Sequence, residues 1–403
     1  MKSFQTIVLA SFGLLALVGL AVFATSKGLG GGAAEVGPVA AWGTLPQIEV
    51  TEALGELSIS DKRFTQVTYT EKPASSFSAD LAQAIAEGQG PDLVFITQEQ
   101  LLSERGKLAV ITSQQLPERT FIDSFVPMSE LFLTTGGAYG VPIVIDPLVF
   151  FYNRTALTDA GVASAPSSWE AVNGLAQSLT RGTAAATITR SVVPFGSYTN
   201  VSNARAIIAA LFFQAGIPIS TATDLGIESA LRKGGEAGIA SSEAAVDFYT
   251  QFADPAKTVY TWNQTLPQSR DAFIAGDLVF YPGFASEEKF IQNANPNLEF
   301  DMAPLPQPST ASVKVTYGLL YTAAVPRAAY NATGATEIAL ALSAPSATRQ
   351  FATSLGMAPA LRALLTPSTD DRYAAIYYPE ALRARGWLSP ASSAIDGIFA
   401  GMI

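Results

Sequence analysis

With 403 residues, no cysteine and no histidine, the chain has room for two lobes around a large core. It lacks the groups for disulfides, Cys–zinc sites, thiol catalysis, Ser–His and Cys–His dyads and histidine-held metals. A net charge of −10 with 14% charged residues argues against nucleic acid as a partner, because phosphate binding needs clustered Lys and Arg; it also works mildly against polyanionic ligands.

The chain opens with Lys2 and then an apolar run over residues 7–24, broken only by Ser and Gly. Such a run reaches the roughly 17–25 residues that span a bilayer and exceeds the about 7–15-residue apolar region of a typical signal peptide. Residues 1–26 are therefore expected to be a retained membrane anchor, with Lys2 inside and the body outside. The alternative is a removed signal peptide, for which Val22-Phe23-Ala24 resembles the cleavage site. Either way residues 38–403 lie outside the cytoplasm. Residues 27–37, KGLGGGAAEVG, read as a flexible linker. Gly28, Gly30 and Ala33 formally fit a dinucleotide pattern, but no strand precedes them and no helix follows, so the match carries no meaning.

The body begins with a short strand at 39–42 and a turn at Gly43-Thr44. Residues 64–70 alternate apolar and polar as a half-buried strand does. A helix is expected over 78–87, with Leu81 and Ile85 on one face and Gly88 closing it. Gly90-Pro91 breaks the chain, 93–96 is a parallel-type strand, and 97–100 forms the loop at its carboxyl end, where open α/β sheets collect ligands.

Residues 139–159, YGVPIVIDPLVFFYNRTALTD, are the stretch around which the rest of the chain is organised. Two β-type apolar runs, 141–145 and 147–152, flank one carboxylate, Asp146; a turn at Asn153-Arg154 and a short polar helix come next. An unpaired buried carboxylate is costly, so Asp146 is either an edge-strand acid turned to solvent or an acid facing a cleft where the chain passes between lobes. Pro142, Ile143, Val144, then Val149, Phe150, Phe151, Tyr152, Asn153, Leu157 and Asp159 resemble the motif of family 1 of the extracellular solute-binding proteins, the maltose-binding-protein-like receptors of ABC importers. Weaker similarities extend over most of the chain after residue 38. Unlike many members of that family, this chain has no cysteine for a lipid anchor.

The resemblance implies site residues on both sides of Asp146. The loop after the first strand lines the cleft in this family, which makes Trp42 a candidate against the alternative of a core Trp. The Pro91-Asp92 pair and the strand after it also match, and the acid beyond that strand corresponds to Glu99, with Gln98 and Gln100 beside it. Ile96 stands where maltose-binding relatives carry a Trp, which points away from a maltodextrin.

Further on, Ser167-Ser168-Trp169-Glu170 reads as a capping box opening a helix with Val172, Leu175 and Leu179 inward. Pro166, Ser168, Trp169 and Glu170 also resemble an element of the same family, and the resemblance implies that Trp169 is structural. A strand is expected over 192–198 and an apolar helix over 204–214. Tyr198, Asn200 and Asn203 precede that helix where the family puts second-lobe contacts, and Arg205 at its start is either a further contact or the partner of a surface acid. Helices come next at 241–252 and 268–275, then a strand at 278–281 and a turn at Pro282-Gly283. This segment resembles a family element whose turn presents aromatics to the cleft, so Tyr281 and Phe284 are candidates, with core packing as the alternative. Aromatic faces suit sugar rings, whose hydroxyls bond to carboxylates and amides.

Residues 300–306 resemble a return element. Residues 313–325 read as strand, turn and strand around Tyr317-Gly318, a second crossing. Helices at 337–343 and 348–354 lead to a third crossing at 356–359, and 373–403 is a helical tail in which Trp387 is a candidate, since a late Trp stacks on ligand in several relatives. The Asn-x-Ser/Thr sequons at Asn153, Asn200, Asn263 and Asn331 carry no weight in so Ser/Thr-rich a chain.

The fold class expected is α/β, a two-lobed periplasmic-binding-protein-like (type II) architecture with interrupted lobes and a hinge. The first lobe takes 38–145 and 317–356; the second takes 146–316 and 357–403. The resemblance implies a receptor that captures a neutral sugar or oligosaccharide between its lobes and delivers it to an ABC permease, with no catalytic residue, cofactor or metal. Two other readings stand beside it: a surface-anchored module binding peptide or glycan without a transporter, and a secreted glycoside hydrolase using Glu99 and Asp146 as its two carboxylates.

Overall fold

The structure, a computed structural model, describes residues 36–182, 187–223, 226–231, 242–366, 371–390 and 392–403. The expected anchor, the glycine pattern and all but the last two residues of the linker lie outside these residues. Among the described residues no helix is long and apolar enough to cross a membrane.

The first strand, β1 (Val39–Gly43), runs parallel between β2 (Val67–Glu71) and β3 (Leu93–Thr97). Between β1 and β2 lies a helix that the sequence pattern does not announce, α1 (Gln47–Ser60), which buries Val50, Ala53, Leu54 and Leu57. That spacing is one helical face, but Ile48 and Ile59 sit on the opposite side, 77% and 71% exposed, and blur the pattern. The strand expected from residue 64 begins as a 3-10 turn, Lys62–Gln66. Asp61 drives this turn by accepting the Arg63 N–H at 3.0 Å, as short acids do at turns. Helix α2 (Phe77–Ala86) packs Phe77, Leu81 and Ala84 inward. After β3 the expected loop is instead the start of α3 (Gln98–Glu104), with Thr97 and Gln100 forming a reciprocal capping box.

The centre of the body is β4 (Val141–Asn153), buried at every position except Tyr152. Its neighbours are β5 (Phe280–Phe284), β6 (Phe300–Ala303), β7 (Thr316–Ala324) and the short β8 (Ala358–Pro359), all antiparallel to it. β7 also pairs antiparallel with β3, which joins β4 to β1 and β2. Residues from Val141 to Pro147 face β7 and β8, whereas Leu148 to Asn153 face β5 and β6. One strand thus serves two sheet regions and changes partners at Asp146-Pro147.

β7 is one continuous strand, not two strands around a turn. Tyr317-Gly318 lies inside it, with Tyr317 paired to the short β9 (Ala384–Arg385) and Gly318 to Pro147. Glycine is required there because a Cβ would lie 2.9 Å from the Cβ of Ala384. The register slips between Tyr321 and Thr322, a bulge opposite the segment where Pro142 supplies no ladder N–H.

Beyond the crossing, α4 (Trp169–Leu179) is capped by Ser168, which accepts from Ala171 N at 3.3 Å. The expected capping box is not formed: Glu170 accepts instead from Ser309 N at 3.0 Å. Trp169 is 3% exposed and packs against Phe195 at 5.4 Å and Phe150 at 5.9 Å. Its indole N–H donates to Gln214 Oε1 at 2.7 Å, so the body is buried and the polar handle satisfied. No strand forms over 192–198; the segment is held by single contacts such as Phe280 N to Val192 O at 2.8 Å. Helix α5 (Ala204–Gln214) comes next, buried on nearly all sides. Further helices are α6 (Ser269–Ala275), α7 (Glu287–Ala294), α8 (Ala332–Leu342), α9 (Pro345–Leu355), α10 (Ala374–Arg383) and α11 (Ser392–Ala400).

Candidate functional site

Five chain segments, widely separated in sequence, meet beside the crossing. The capping box of α3 fixes the first turn of that helix and places Glu99 there, 7% exposed. At the start of α5, Asn203 holds φ at 62°, the only non-glycine positive φ among the described residues. Asn adopts this left-handed conformation more readily than most residues, and its side chain is also tethered. Its amide donates to Glu287 Oε1 at 2.7 Å and to the Tyr281 hydroxyl at 3.2 Å. The same Glu287 accepts from the Tyr281 hydroxyl at 2.6 Å and from Phe284 N at 2.9 Å. One carboxylate at the start of α7 therefore fixes the end of β5 and the start of α5 together.

Between these elements lies a cavity of about 450 Å³, within the usual size of a small-molecule site. Its polar lining is Glu99, Tyr198, Asn203, Arg205, Tyr317 and Asp396, and Phe284 supplies an aromatic face. The Tyr317 hydroxyl donates to one oxygen of Glu99 and the Arg205 guanidinium to the other. Arg205 also pairs with Asp396 at 3.1 Å, and the Tyr198 hydroxyl donates to the same Asp396 oxygen at 2.9 Å. Glu99 comes from just beyond the carboxyl end of β3, the expected place for ligands in such sheets, and Phe284 is the last residue of β5.

The site's electrostatics stem from its burial. Loss of water raises the Glu99 carboxyl above the usual range, opposed by the charge of Arg205 and the hydrogen bond from Tyr317. Burial and the neighbouring Glu99 push the Tyr317 phenol well up, which keeps it a neutral donor. For Arg205, burial works against the charge, but Glu99, Tyr317 and Asp396 outweigh it and hold the guanidinium protonated.

Of the candidates drawn from the sequence, Glu99, Tyr198, Asn203 and Phe284 line the cavity, as does Arg205. The others do not line it, although Gln98 donates to the Tyr317 hydroxyl at 3.3 Å. Asp146 is 3% exposed, which excludes the solvent-facing edge acid. Its carboxylate is turned to Ser286, accepting from the backbone N–H at 3.1 Å and from the hydroxyl at 2.6 Å. Burial pushes its carboxyl up to about 7 against those two bonds. Glu99 lines this cavity and Asp146 does not. Gln98 is fully buried and braces β7, donating to Gly318 O at 2.9 Å and accepting from Leu320 N at 2.9 Å. Trp42 is half-buried under Lys72, whose ammonium lies 4.0 Å from the ring centroid. Tyr281 is buried between Phe273 and Phe151. Trp387 packs against Tyr317 at 5.4 Å and Phe399 at 5.9 Å. Asn200 is a brace, donating to Asn263 O and Leu266 O at 2.9 Å. The sequence pattern marks Tyr317 only as a crossing residue and does not single out Asp396, whose one signal is that it is the lone acid in the apolar tail SSAIDGIFAGMI.

A larger cavity, about 840 Å³, lies among Glu288, Lys289, Arg349, Arg372, Tyr373 and Tyr378. Several of its charges are already engaged: Lys289 donates to Thr353 O and Ser354 O, and Arg372 pairs with Asp301 at 3.2 Å. It includes none of the residues singled out from the sequence. Among the described residues no group of three or more His, Cys, Asp or Glu is placed to hold a metal.

Residues 61–375 match the family described as bacterial extracellular solute-binding protein. No curated protein matches the sequence significantly. Among solved structures, an ABC substrate-binding protein from Listeria monocytogenes in complex with cycloalternan is similar with a TM-score of 0.70 and 15% identity, covering 91% of this chain and 93% of that one. The GacH receptor of Streptomyces glaucescens, solved unliganded and with acarbose, gives 0.69 and 17% over 91% and 92%. The maltotriose-binding protein of Thermus thermophilus, bound with maltotriose, gives 0.66 and 17% over 90% and 92%. At these identities the likeness is one of fold, the two-lobed α/β architecture.

Proposed function

We propose, for a chain that belongs to the bacterial extracellular solute-binding proteins, that its body captures a neutral sugar or short oligosaccharide between two lobes and delivers it to the permease of an ABC importer. The observation that carries this reading is the cavity where Glu99, Arg205, Phe284 and Tyr317 converge. Carboxylate, guanidinium and phenol groups beside one aromatic face are the chemistry that hydroxyl-bearing rings need. The oligosaccharides named with the structural neighbours support the same ligand class.

In this reading the lobes are 38–145 with 317–356 and 146–316 with 357–403, and β4 and β7 cross between them as the hinge. Ligand held from both sides favours the closed form by its differential affinity for it. Residues 1–26 anchor the receptor to the membrane, and residues 27–37 tether the body outside the cytoplasm.

A thermal-shift screen against neutral sugars, oligosaccharides, polyols, amino acids and short peptides tests the proposal. A ligand at about 100 times its Kd stabilises by about 2.7 kcal/mol, a clear shift. A sugar recovered unchanged after producing that shift is the expected result. A response confined to amino acids or peptides overturns the sugar assignment, and consumption of the sugar overturns the binding-protein assignment.

A further inference from the structure

We propose that Arg205 sets the charge class of the ligand, holding the cleft to uncharged solutes by pairing with both of the carboxylates that face the cavity. The inference rests on the reading of that cavity as the ligand site. Among the described residues three side-chain charges line it: Glu99, Arg205 and Asp396. Arg205 bonds to Glu99 on one side and stands 3.1 Å from Asp396 on the other. The side chains of Glu99 and Arg205 are only 8% and 23% exposed, so water screens this pair weakly.

The first three residues of α5, Ala204, Arg205 and Ala206, also line the cavity and bring the partial positive charge of a helix N-terminus to it. Guanidinium and helix start together oppose the two acids, and the cavity is close to electrical balance. An anionic solute meets Glu99 and Asp396; a cationic one meets Arg205. A hydroxyl can donate to the first two and accept from the third. Without Arg205 the remaining polar side chains of the lining, Tyr198, Asn203 and Tyr317, bring no positive charge, and two carboxylates face one cavity. Glu99 is buried and Asp396 is 55% exposed; an ammonium brought between them takes the place of Arg205 and favours their ionised forms, as an opposite charge close by does.

The test compares the full chain with its Arg205→Gln, Arg205→Lys and Arg205→Gln/Asp396→Asn variants by isothermal titration calorimetry. The probes are glucose and glucosamine, and cellotriose and the glucosamine trimer, matched pairs that differ by a hydroxyl against an ammonium at each ring. The natural chain is expected to favour the neutral member. Arg205→Gln should shift the ratio towards the amine by about tenfold or more, about 1.4 kcal/mol. Arg205→Lys should restore the neutral preference, and the double variant should lose most of the amine gain. Thermal melts monitor folding, and if Arg205→Gln is poorly folded Asp396→Asn carries the test. With Arg205 kept and one exposed acid removed, the amine should bind more weakly relative to the neutral probe than on the natural chain, and an unchanged ratio overturns the charge assignment.

If the natural chain binds the neutral probe but no variant changes the ratio, the charge assignment is overturned and the sugar reading stands. If the neutral probe fails on the natural chain while Arg205→Gln gains the amine, the charge assignment stands and the sugar reading falls. Failure of every probe on every variant overturns both.

Discussion

Asp146 and Ser286 are joined by two hydrogen bonds, one from the backbone N–H at 3.1 Å and one from the hydroxyl at 2.6 Å. They tie the point where β4 changes partners to the residue that opens α7. An acid at the sheet's crossing thus anchors the element whose Glu287 positions Phe284 and Asn203.

The burial of Asp146, working against its two bonds from Ser286, makes stability depend on pH. The buried Asp146 carboxyl is raised to about 7, while the unfolded chain releases that proton near the ordinary Asp value of about 3.9. Between about pH 4 and 7 the folded form therefore holds more protons than the unfolded one. The contribution is complete below about pH 4 and is lost as pH rises through 7. Asp146→Asn removes the titration, so its Tm relative to the natural chain should climb steadily from pH 4.5 to pH 8. Parallel Tm curves for the two proteins would rule the assignment out.

Gln98 should behave as a brace and not as a ligand contact. Gln98→Leu leaves the Leu320 N–H and the Gly318 carbonyl, both inside the sheet, without their side-chain partner. A loss of about 2–3 kcal/mol in urea denaturation is expected, with ligand affinity of the folded variant unchanged. A selective affinity loss at full stability would put Gln98 in the binding site.

Trp169→Phe deletes the indole bond to Gln214 and part of the packing on Phe195. The expected cost is about 1–3 kcal/mol of stability. Affinity for any ligand found by the screen should not move.

Phe284 and Tyr281 share β5 but have opposite expected phenotypes. Phe284→Ala removes the cavity's aromatic face and should weaken sugar binding by about tenfold, the worth of one aromatic contact. Tyr281→Phe removes the donor to Glu287 Oε2 and should mainly lower Tm. Equal effects of both variants on affinity would contradict the separation of their roles.

Local pattern was enough for the crossing strand and the apolar helix after Asn203, because strand and helix periodicity are short-range signals; the burial of Trp169 followed from the family element that it resembles. Glu99 was also reachable from its place just after a strand, and Phe284 from the family element that its segment resembles. The helix α1 is hidden in the sequence because Ile48 and Ile59 put apolar residues on its wet face. Whether an acid or an aromatic faces the cavity was decided only by the tertiary structure. Asp146 and Tyr281 turned to Ser286 and Glu287 because those partners are delivered by the chain around residues 286 and 287, and Glu99 found Arg205, Tyr317 and Asp396 from three further segments. In an interrupted two-lobed fold the groups that meet at the crossing lie far apart along the chain, so no local period encodes which of them will share one cavity.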